Sequence, residues 1–432
     1  MIRATDLDAS FAAADRAPRA SPLAIKLLHG CLFLTILVSP LVFIEPSPYE
    51  AAAGLLLVAC VAASVKVDRK ILPLALLLLL FNVGAVMTLP HLAEDREALT
   101  YVAISFYLCV TAFAYACLFT EDSVRRLEIM RRAYLIAATI ASIAGIAGYF
   151  GIWPDGALYG RARATFKDPN VFGPFLVLPL LFLMQSLFFR GLRLRYLVLF
   201  GLFTFALLLS FSRGAWGHFV FSAAVLFVLT FVTAREAHTR FRLVVLSAAA
   251  IIALTAFIAA TLSFRTVDSL FMQRAQLTQS YDVESGGRFD LQKRAVGEVL
   301  ERPGGMGPHE FERVYGLQQH NVYLQAFLVY GWLGGFAYVT LLILTLLVGI
   351  RLSFAITPWQ PYLIAALAAF CGEIGESFII DSDHWRHFFL LLGIIWGLIA
   401  ATLNARRSLA LSGRSQVAPI PVPPYSPRRF GA

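Results

Sequence analysis

The sequence predicts an all-α polytopic membrane protein with about twelve transmembrane helices and one long, structured extracytoplasmic loop. The first observation is composition, since 59% of the 432 residues are hydrophobic and only 15% are charged. Soluble domains contain about 45–50% apolar and about 25% charged residues, so a soluble globular enzyme is excluded. The second is the recurrence of apolar runs of about 20 residues, the length that crosses a bilayer as a helix. The third is an uneven distribution of Lys and Arg between the segments that join these runs.

The apolar runs define the predicted spans in chain order. They lie at about 25–44, 49–65, 71–90, 98–119, 133–151, 171–189, 196–212, 214–233, 243–264, 322–350, 360–380 and 388–403. The first run is too long for the core of a signal peptide and is therefore predicted to be a span. The tenth run exceeds one span, and Gly331, Gly334 and Gly335 predict a break inside it.

Lys and Arg set the predicted orientation. With the N-terminus in the cytoplasm, the short inner segments hold 23 of these residues and the short outer segments hold 6. Cytoplasmic loops of membrane proteins carry such an excess. The formal net charge of +9 is therefore a matter of orientation, and no nucleic-acid partner is expected. The predicted organisation is a cytoplasmic segment (1–24), nine transmembrane helices (25–264), an extracytoplasmic loop (265–320), three further helices (321–404) and a disordered cytoplasmic tail (405–432).

The outer loop contains a predicted amphipathic helix. Gly287 precedes it and Pro303-Gly304-Gly305 ends it, in keeping with helix start and stop signals. Its helical periodicity places the following residues on one face: Phe289, Gln292, Val296, Val299 and Leu300. The loop is thus predicted to be a structured cap whose helix lies on the membrane surface.

Arginines at the outer face are the first candidate site residues. Arg161 and Arg163 precede Asp168-Pro169, which reads as a helix N-cap followed by Pro at the first helical position. The same segment could also form a cationic rim beside a helix N-terminus, which favours a bound phosphate. Arg213 lies in a short turn between two spans. It either extends to lipid headgroups or binds two phosphate oxygens of a ligand with its planar fork.

His320 is the candidate general base. It stands with Asn321 where the polar loop meets the next span. One interpretation is that Asn321 caps that helix and His320 only faces water. The alternative is that His320 accepts a proton at the membrane surface, because imidazole titrates near physiological pH.

Other titratable residues leave further alternatives open. A zinc site from His384 and His387 with Asp381 or Asp383 is conceivable, although no second cluster supports it. More simply, these aspartates and Arg386 mark a helix end with local ion pairs. The carboxylates of Glu373 and Glu376 lie in or at the end of the eleventh span, where charge is costly, and either could pair with an essential Arg. His218, inside the eighth span, is expected to pack or to form a hydrogen bond there.

Four stretches in this order resemble the O-antigen ligase and O-antigen polymerase superfamily of bacterial envelope glycan assembly. The first runs from Arg163-Ala164-Thr165-Phe166 to Asp168-Pro169-Asn170-Val171-Phe172-Gly173, and the second is Phe211-Ser212-Arg213-Gly214-Ala215. The third is Gly287-Arg288 with Pro303 and Gly305-Met306-Gly307, and the fourth is His320-Asn321-Val322-Tyr323-Leu324 with Gly331 and Gly334. Together they cover about residues 160–350.

The resemblance implies a GT-C-type glycosyltransferase in the bacterial inner membrane, with its active site on the periplasmic face. It implies a polyprenyl-diphosphate-linked glycan as donor and a sugar hydroxyl as acceptor, on lipid A–core or on a second lipid-linked glycan. Neither cofactor nor metal is implied. In this resemblance Arg213 and Arg288 match positions that hold the donor diphosphate, and His320 matches the position that activates the acceptor. Arg161 or Arg163 matches a further basic position.

Ligase and polymerase share these motifs, so the sequence leaves the acceptor open. From another class of protein, a transporter or flippase for a lipid-linked or anionic substrate is the alternative. It would need charged residues through the mid-bilayer of several spans, whereas most of the charge here lies at the outer face. A membrane scaffold is the third hypothesis, and it would not need the Arg and His residues.

Overall fold

A computed structural model describes residues 21–42, 46–89, 94–262 and 287–415 as an almost entirely α-helical chain. Most of the predicted cytoplasmic segment (1–24), the first part of the predicted outer loop (265–286) and the end of the predicted tail (416–432) lie outside these residues. The prediction of a disordered tail over 405–432 was wrong for residues 405–415, which continue the last helix. The helices are α1 (Pro22–Leu37), α2 (Pro48–Ala62), α3 (Leu72–Thr88), α4 (Arg96–Thr120), α5 (Ser123–Tyr149), α6 (Pro169–Phe175), α7 (Val177–Arg190), α8 (Leu194–Leu209), α9 (Arg213–Thr233), α10 (Ala237–Leu262), α11 (Arg288–Glu301), α12 (Glu310–Tyr315), α13 (Val322–Ser353), α14 (Gln360–Glu376) and α15 (Arg386–Ser415).

Two short 3-10 helices and one small hairpin complete the described residues. The 3-10 helices are Arg69–Ile71 and Pro154–Gly156. The hairpin pairs β1 (Ala157–Leu158) antiparallel with β2 (Arg161–Ala162), with Ala157 opposite Ala162 and Leu158 opposite Arg161. It carries Arg161 into the outer segment that precedes α6.

Each predicted apolar run overlaps a helix of the described residues, in agreement with the all-α polytopic class. Within the described residues, seven helices are long and apolar enough to cross a membrane. These are Arg69–Thr88, Arg96–Thr120, Ser123–Tyr149, Pro169–Arg190, Arg213–Thr233, Val322–Ser353 and Arg386–Ala410. Three shorter apolar helices are Pro22–Leu37, Pro48–Ala62 and Leu194–Leu209. The count of twelve spans stays a prediction.

Local capping explains where several helices begin. The Asp168 side chain accepts a hydrogen bond from Asn170 N at 2.6 Å, and Pro169 occupies the first turn, as predicted. Ser47 and Glu50 form a reciprocal capping box at α2. Such side chains satisfy N–H groups that the first helical turn leaves without partners.

The predicted break in α13 occurs at Gly331. Its φ of 63° and ψ of −174° interrupt the helix, whereas Gly334 and Gly335 remain helical. The turn after α11 docks against this kink, since Trp332 N donates to Pro303 O at 2.8 Å and Met306 N donates to Leu328 O at 2.6 Å. Glycine is required here because the positive φ is unfavourable for residues with a Cβ. The kink thereby attaches the outer loop to a membrane helix.

The amphipathic helix is present as α11, and it buries a second apolar face that the sequence analysis did not predict. Leu291 and Ala295 are buried against Phe311 and Leu328, and Val299 packs beside them. These residues recur every four positions, so they line one helical face. Of the predicted face, Phe289, Val296 and Leu300 are exposed. Helix α11 therefore packs on α13 and α12 with one apolar face and leaves a second one outward.

Candidate active site

His320 lies at the start of α13 in a left-handed backbone conformation, with φ of 49°. The next residue confirms the predicted cap, because Asn321 Oδ1 accepts hydrogen bonds from Tyr323 N at 3.0 Å and Leu324 N at 3.2 Å. Asn321 Nδ2 also donates to Phe378 O at 3.2 Å. The backbone next to His320 is thus hydrogen-bonded, through Asn321, to the segment that follows α14.

Asp381 is the partner of His320. His320 Nδ1 lies 3.3 Å from Asp381 Oδ2, and the two side chains are 46% and 16% exposed. Burial raises the pKa of the Asp381 carboxyl above its usual range, against the opposing effect of the hydrogen bond with His320. No hydrogen bond joins His320 Nε2 to the described residues. The arrangement can therefore hold one ring nitrogen while the other is available for proton transfer.

Arg213 is the first residue of α9, as the short turn predicts. Ser212 caps the helix by accepting from Ala215 N at 3.3 Å, and Phe211 turns the chain with φ of 46°. The half-buried Arg213 side chain therefore starts from the N-terminus of a 21-residue helix, where partial positive charge favours anions.

The Arg161 side chain forms a hydrogen bond with the backbone of the turn that precedes Arg213. Its Nε donates to Ser210 O at 2.9 Å, and its Nη2 donates to Asn170 Oδ1 at 2.7 Å. Arg163 instead donates to Asp155 O at 2.9 Å, on its own loop. Two of the predicted donor-binding arginines thus have backbone carbonyl partners, and Arg161 is the one that contacts the Arg213 turn.

A buried His–Glu pair holds α9 against α14 beside Arg213. His218 Nδ1 lies 2.9 Å from Glu376 Oε2, and both side chains are only 1% exposed. Close approach also requires Gly214, because a Cβ there would lie 2.6 Å from Glu376 Oε1. The hydrogen bond expected of His218 is present. Glu376 pairs with this histidine and sits against the residue that follows Arg213.

Arg288 is the half-buried first residue of α11. One turn later, Gln292 Nε2 donates to Phe378 O at 3.2 Å and to His320 O at 3.4 Å. The beginning of α11 therefore lies beside His320 and beside the segment after α14.

That segment, residues 376–381, joins the three predicted regions. Glu376 contacts the Arg213 turn, Phe378 O accepts from the first turns of α11 and α13, and Asp381 pairs with His320. The structure thus brings the helix starts that carry Arg213, Arg288 and His320 to one connector. The sequence indicated a functional region here through Glu376 and Asp381, the carboxylates at and after the end of the eleventh span. Their partners could not be predicted from the sequence.

The residues of the conceivable zinc site have separate partners. Asp383 Oδ2 accepts from Tyr101 OH at 2.5 Å and Tyr330 OH at 3.3 Å. His387 Nε2 lies 3.7 Å from Glu373 Oε1. The expectation of local ion pairs at this helix end was wrong, because Arg386 pairs with Glu50 on α2 and Asp381 with His320. Within the described residues, no group of three or more metal-ligating side chains is assembled.

These features define a polytopic helical membrane protein with arginines and a His–Asp pair gathered at one end of its bundle. The O-antigen ligase family model matches residues 197–339 of this chain. The match includes Arg213, Arg288 and His320. It confirms, over residues 197–339, the resemblance to the O-antigen ligase and polymerase superfamily. No curated protein matches the chain.

Proposed function

We propose that this protein is a GT-C-type glycosyltransferase of the bacterial inner membrane. It transfers a glycan from polyprenyl diphosphate to a sugar hydroxyl on the periplasmic face. The observation that carries the proposal is the His320–Asp381 pair, whose Nδ1 and Oδ2 atoms lie 3.3 Å apart. Asp381 belongs to the connector 376–381, which also contacts the Arg213 turn and the beginning of α11. The family match supports the reaction class.

Arg213 and Arg288 bind the donor diphosphate in this proposal. A guanidinium group presents parallel N–H donors that match two phosphate oxygens, and it remains charged at any physiological pH. Both arginines are also first residues of helices, where N–H groups and the helix dipole add positive potential. As the anomeric C–O bond breaks, these charges stabilise the departing polyprenyl diphosphate.

His320 is the catalytic base. Its Nε2 accepts the proton of the acceptor hydroxyl while the hydroxyl oxygen attacks the anomeric carbon. The new glycosidic bond forms as the bond to the diphosphate breaks, which inverts the anomeric configuration. Asp381 orients the imidazole through Nδ1 and stabilises the imidazolium that forms.

Reconstituted vesicles test this function. The protein is supplied with a polyprenyl-diphosphate-linked oligosaccharide and, in separate arms, with lipid A–core or with a second lipid-linked glycan. Transfer to lipid A–core identifies a ligase, and elongation of the lipid-linked glycan identifies a polymerase. Absence of transfer in both arms, from protein shown to be folded and inserted, would refute the proposal. Membrane lipids are the required environment in either case.

A transporter or flippase is the second candidate, and one observation favours it. His218, Glu373, Glu376 and His387 form a buried polar group inside the bundle. Ionisable residues at such depth often mark substrate or ion pathways. The same vesicles discriminate the two functions, because a flippase moves a labelled lipid-linked glycan across the bilayer without forming a glycosidic bond.

A further inference from the structure

A cleft lies between the N-terminal parts of α1 and α5, at the end of the bundle predicted to face the cytoplasm. Its volume is about 650 Å³. The lining residues are Lys26, His29, Asp122, Val124, Arg125, Glu128, Ile129 and Arg132. In the predicted topology this cleft and His320 lie on opposite faces of the membrane. The cleft is therefore not part of the proposed glycosyl-transfer site.

The lining of the cleft holds more cations than carboxylates, with Lys26, Arg125 and Arg132 against Asp122 and Glu128. Glu128 Oε1 forms ion pairs with Arg131 Nη2 at 2.8 Å and with Arg132 Nε at 3.0 Å. Lys26 and Arg125 are exposed, and neither forms an ion pair with the part of the chain that the structure describes. The cleft therefore has a net positive potential at its mouth.

Two further features favour an anion. His29 is 9% exposed, and its Nε2 is buried without a hydrogen-bond partner among the described residues, 3.8 Å from Asp122 Oδ2. At the N-terminus of α5, the N-cap residue Asp122 forms no side-chain cap hydrogen bond. The first N–H groups of a 27-residue helix thus lack this partner, and they lie beside Arg125.

An apolar stripe continues from the cleft along α5. Ile129, Ile136, Ile140 and Ile143 follow Arg125 at intervals of three, four or seven residues and therefore share one helical face. Ile136, Ile140 and Ile143 are 45%, 51% and 56% exposed. A cationic cleft at the polar end of an outward apolar stripe matches a molecule with an anionic head and an acyl chain.

We propose that this cleft binds an anionic phospholipid. The phosphodiester lies between Lys26, Arg125 and the N-terminus of α5, and one acyl chain follows the isoleucine stripe. A zwitterionic lipid is disfavoured because its ammonium group would lie beside Lys26 and Arg125. Basic pockets between transmembrane helices on the cytoplasmic side are suited to acidic headgroups.

Native mass spectrometry of the delipidated full chain in detergent tests the proposal. The protein is titrated with dioleoyl-phosphatidylglycerol or with dioleoyl-phosphatidylethanolamine. We expect preferential retention of phosphatidylglycerol by the wild type and by the charge-retaining variant Lys26→Arg/Arg125→Lys. Lys26→Gln/Arg125→Gln should bind it about 30-fold more weakly. The matched control Arg190→Gln/Arg193→Gln removes the same charge from the same predicted face, outside the cleft, and should bind normally.

Three outcomes would overturn the proposal. Equal weakening in the control would show that only general positive potential attracts the lipid. Equal retention of the two lipids by the wild type would remove the case for an anionic headgroup. Inorganic phosphate at millimolar concentration, or short-chain dihexanoyl-phosphatidylglycerol, should compete poorly; full displacement by either would indicate a phosphate site without an acyl-chain groove.

Discussion

Replacing Asp381 by Asn separates the chemical role of the His320–Asp381 pair from its contribution to stability. Asn retains the shape of the carboxylate but cannot stabilise a positive imidazolium. A hydrogen bond to a charged group contributes about 1.5–3 kcal/mol. The separation of 3.3 Å and the 46% exposure of His320 place this pair in the lower part of that range. We therefore expect glycosyl transfer to fall about 10- to 30-fold.

The same substitution should not lower the thermal stability. Burial raises the pKa of Asp381, so the folded protein binds this proton more tightly than the unfolded chain does. Stability then decreases as pH rises through the raised pKa, because the ionised carboxylate is poorly solvated. At neutral pH, Asp381→Asn removes that cost, and we expect an equal or higher Tm.

Steady-state transfer in vesicles measures the first effect, and thermal unfolding in detergent measures the second. Asp383→Asn is the matched control, because Asp383 accepts from Tyr101 and Tyr330 instead of pairing with His320. His320→Ala should lower turnover about 10²-fold or more. Adding Asp381→Asn to His320→Ala should cost little more if the carboxylate acts through the imidazole. Wild-type turnover by Asp381→Asn, or fully additive losses in the double variant, would refute the reasoning.

Four further predictions concern the donor site, the cap at Asn321, the kink at Gly331 and the topology. Arg213→Lys or Arg288→Lys should lower kcat/KM about 10- to 100-fold, since Lys loses one charged hydrogen bond of the fork; normal transfer by both would leave only a general electrostatic role. Asn321→Ala should reduce the free energy of unfolding by about 1 kcal/mol, measured by denaturation. Gly331→Ala should destabilise by about 1–3 kcal/mol, because φ is 63° and the new Cβ would lie 2.8 Å from Gly304 O; an unchanged Tm would contradict this. A reporter fused after Gly287 should be active only as an exported protein, and cytoplasmic activity would reverse the topology.

The sequence alone determined the helical class, the position of each apolar helix and several helix starts. The caps by Asp168 and Asn321 and the break at Gly331 were all predicted, because each depends on residues adjacent in the chain. The ordered motifs also gave the resemblance to the O-antigen ligase and polymerase superfamily, and the family model matches residues 197–339.

Only the tertiary structure decided which side chains meet. Asp381 could be recognised as an outer carboxylate but not as the partner of His320, and Arg161 could not be recognised as the support of the Arg213 turn. The face that α11 buries was likewise decided by its packing on α13. Hydropathy and capping are properties of one segment and its solvent. A contact between helix ends that are distant in sequence depends instead on how the whole bundle packs, which no single segment encodes.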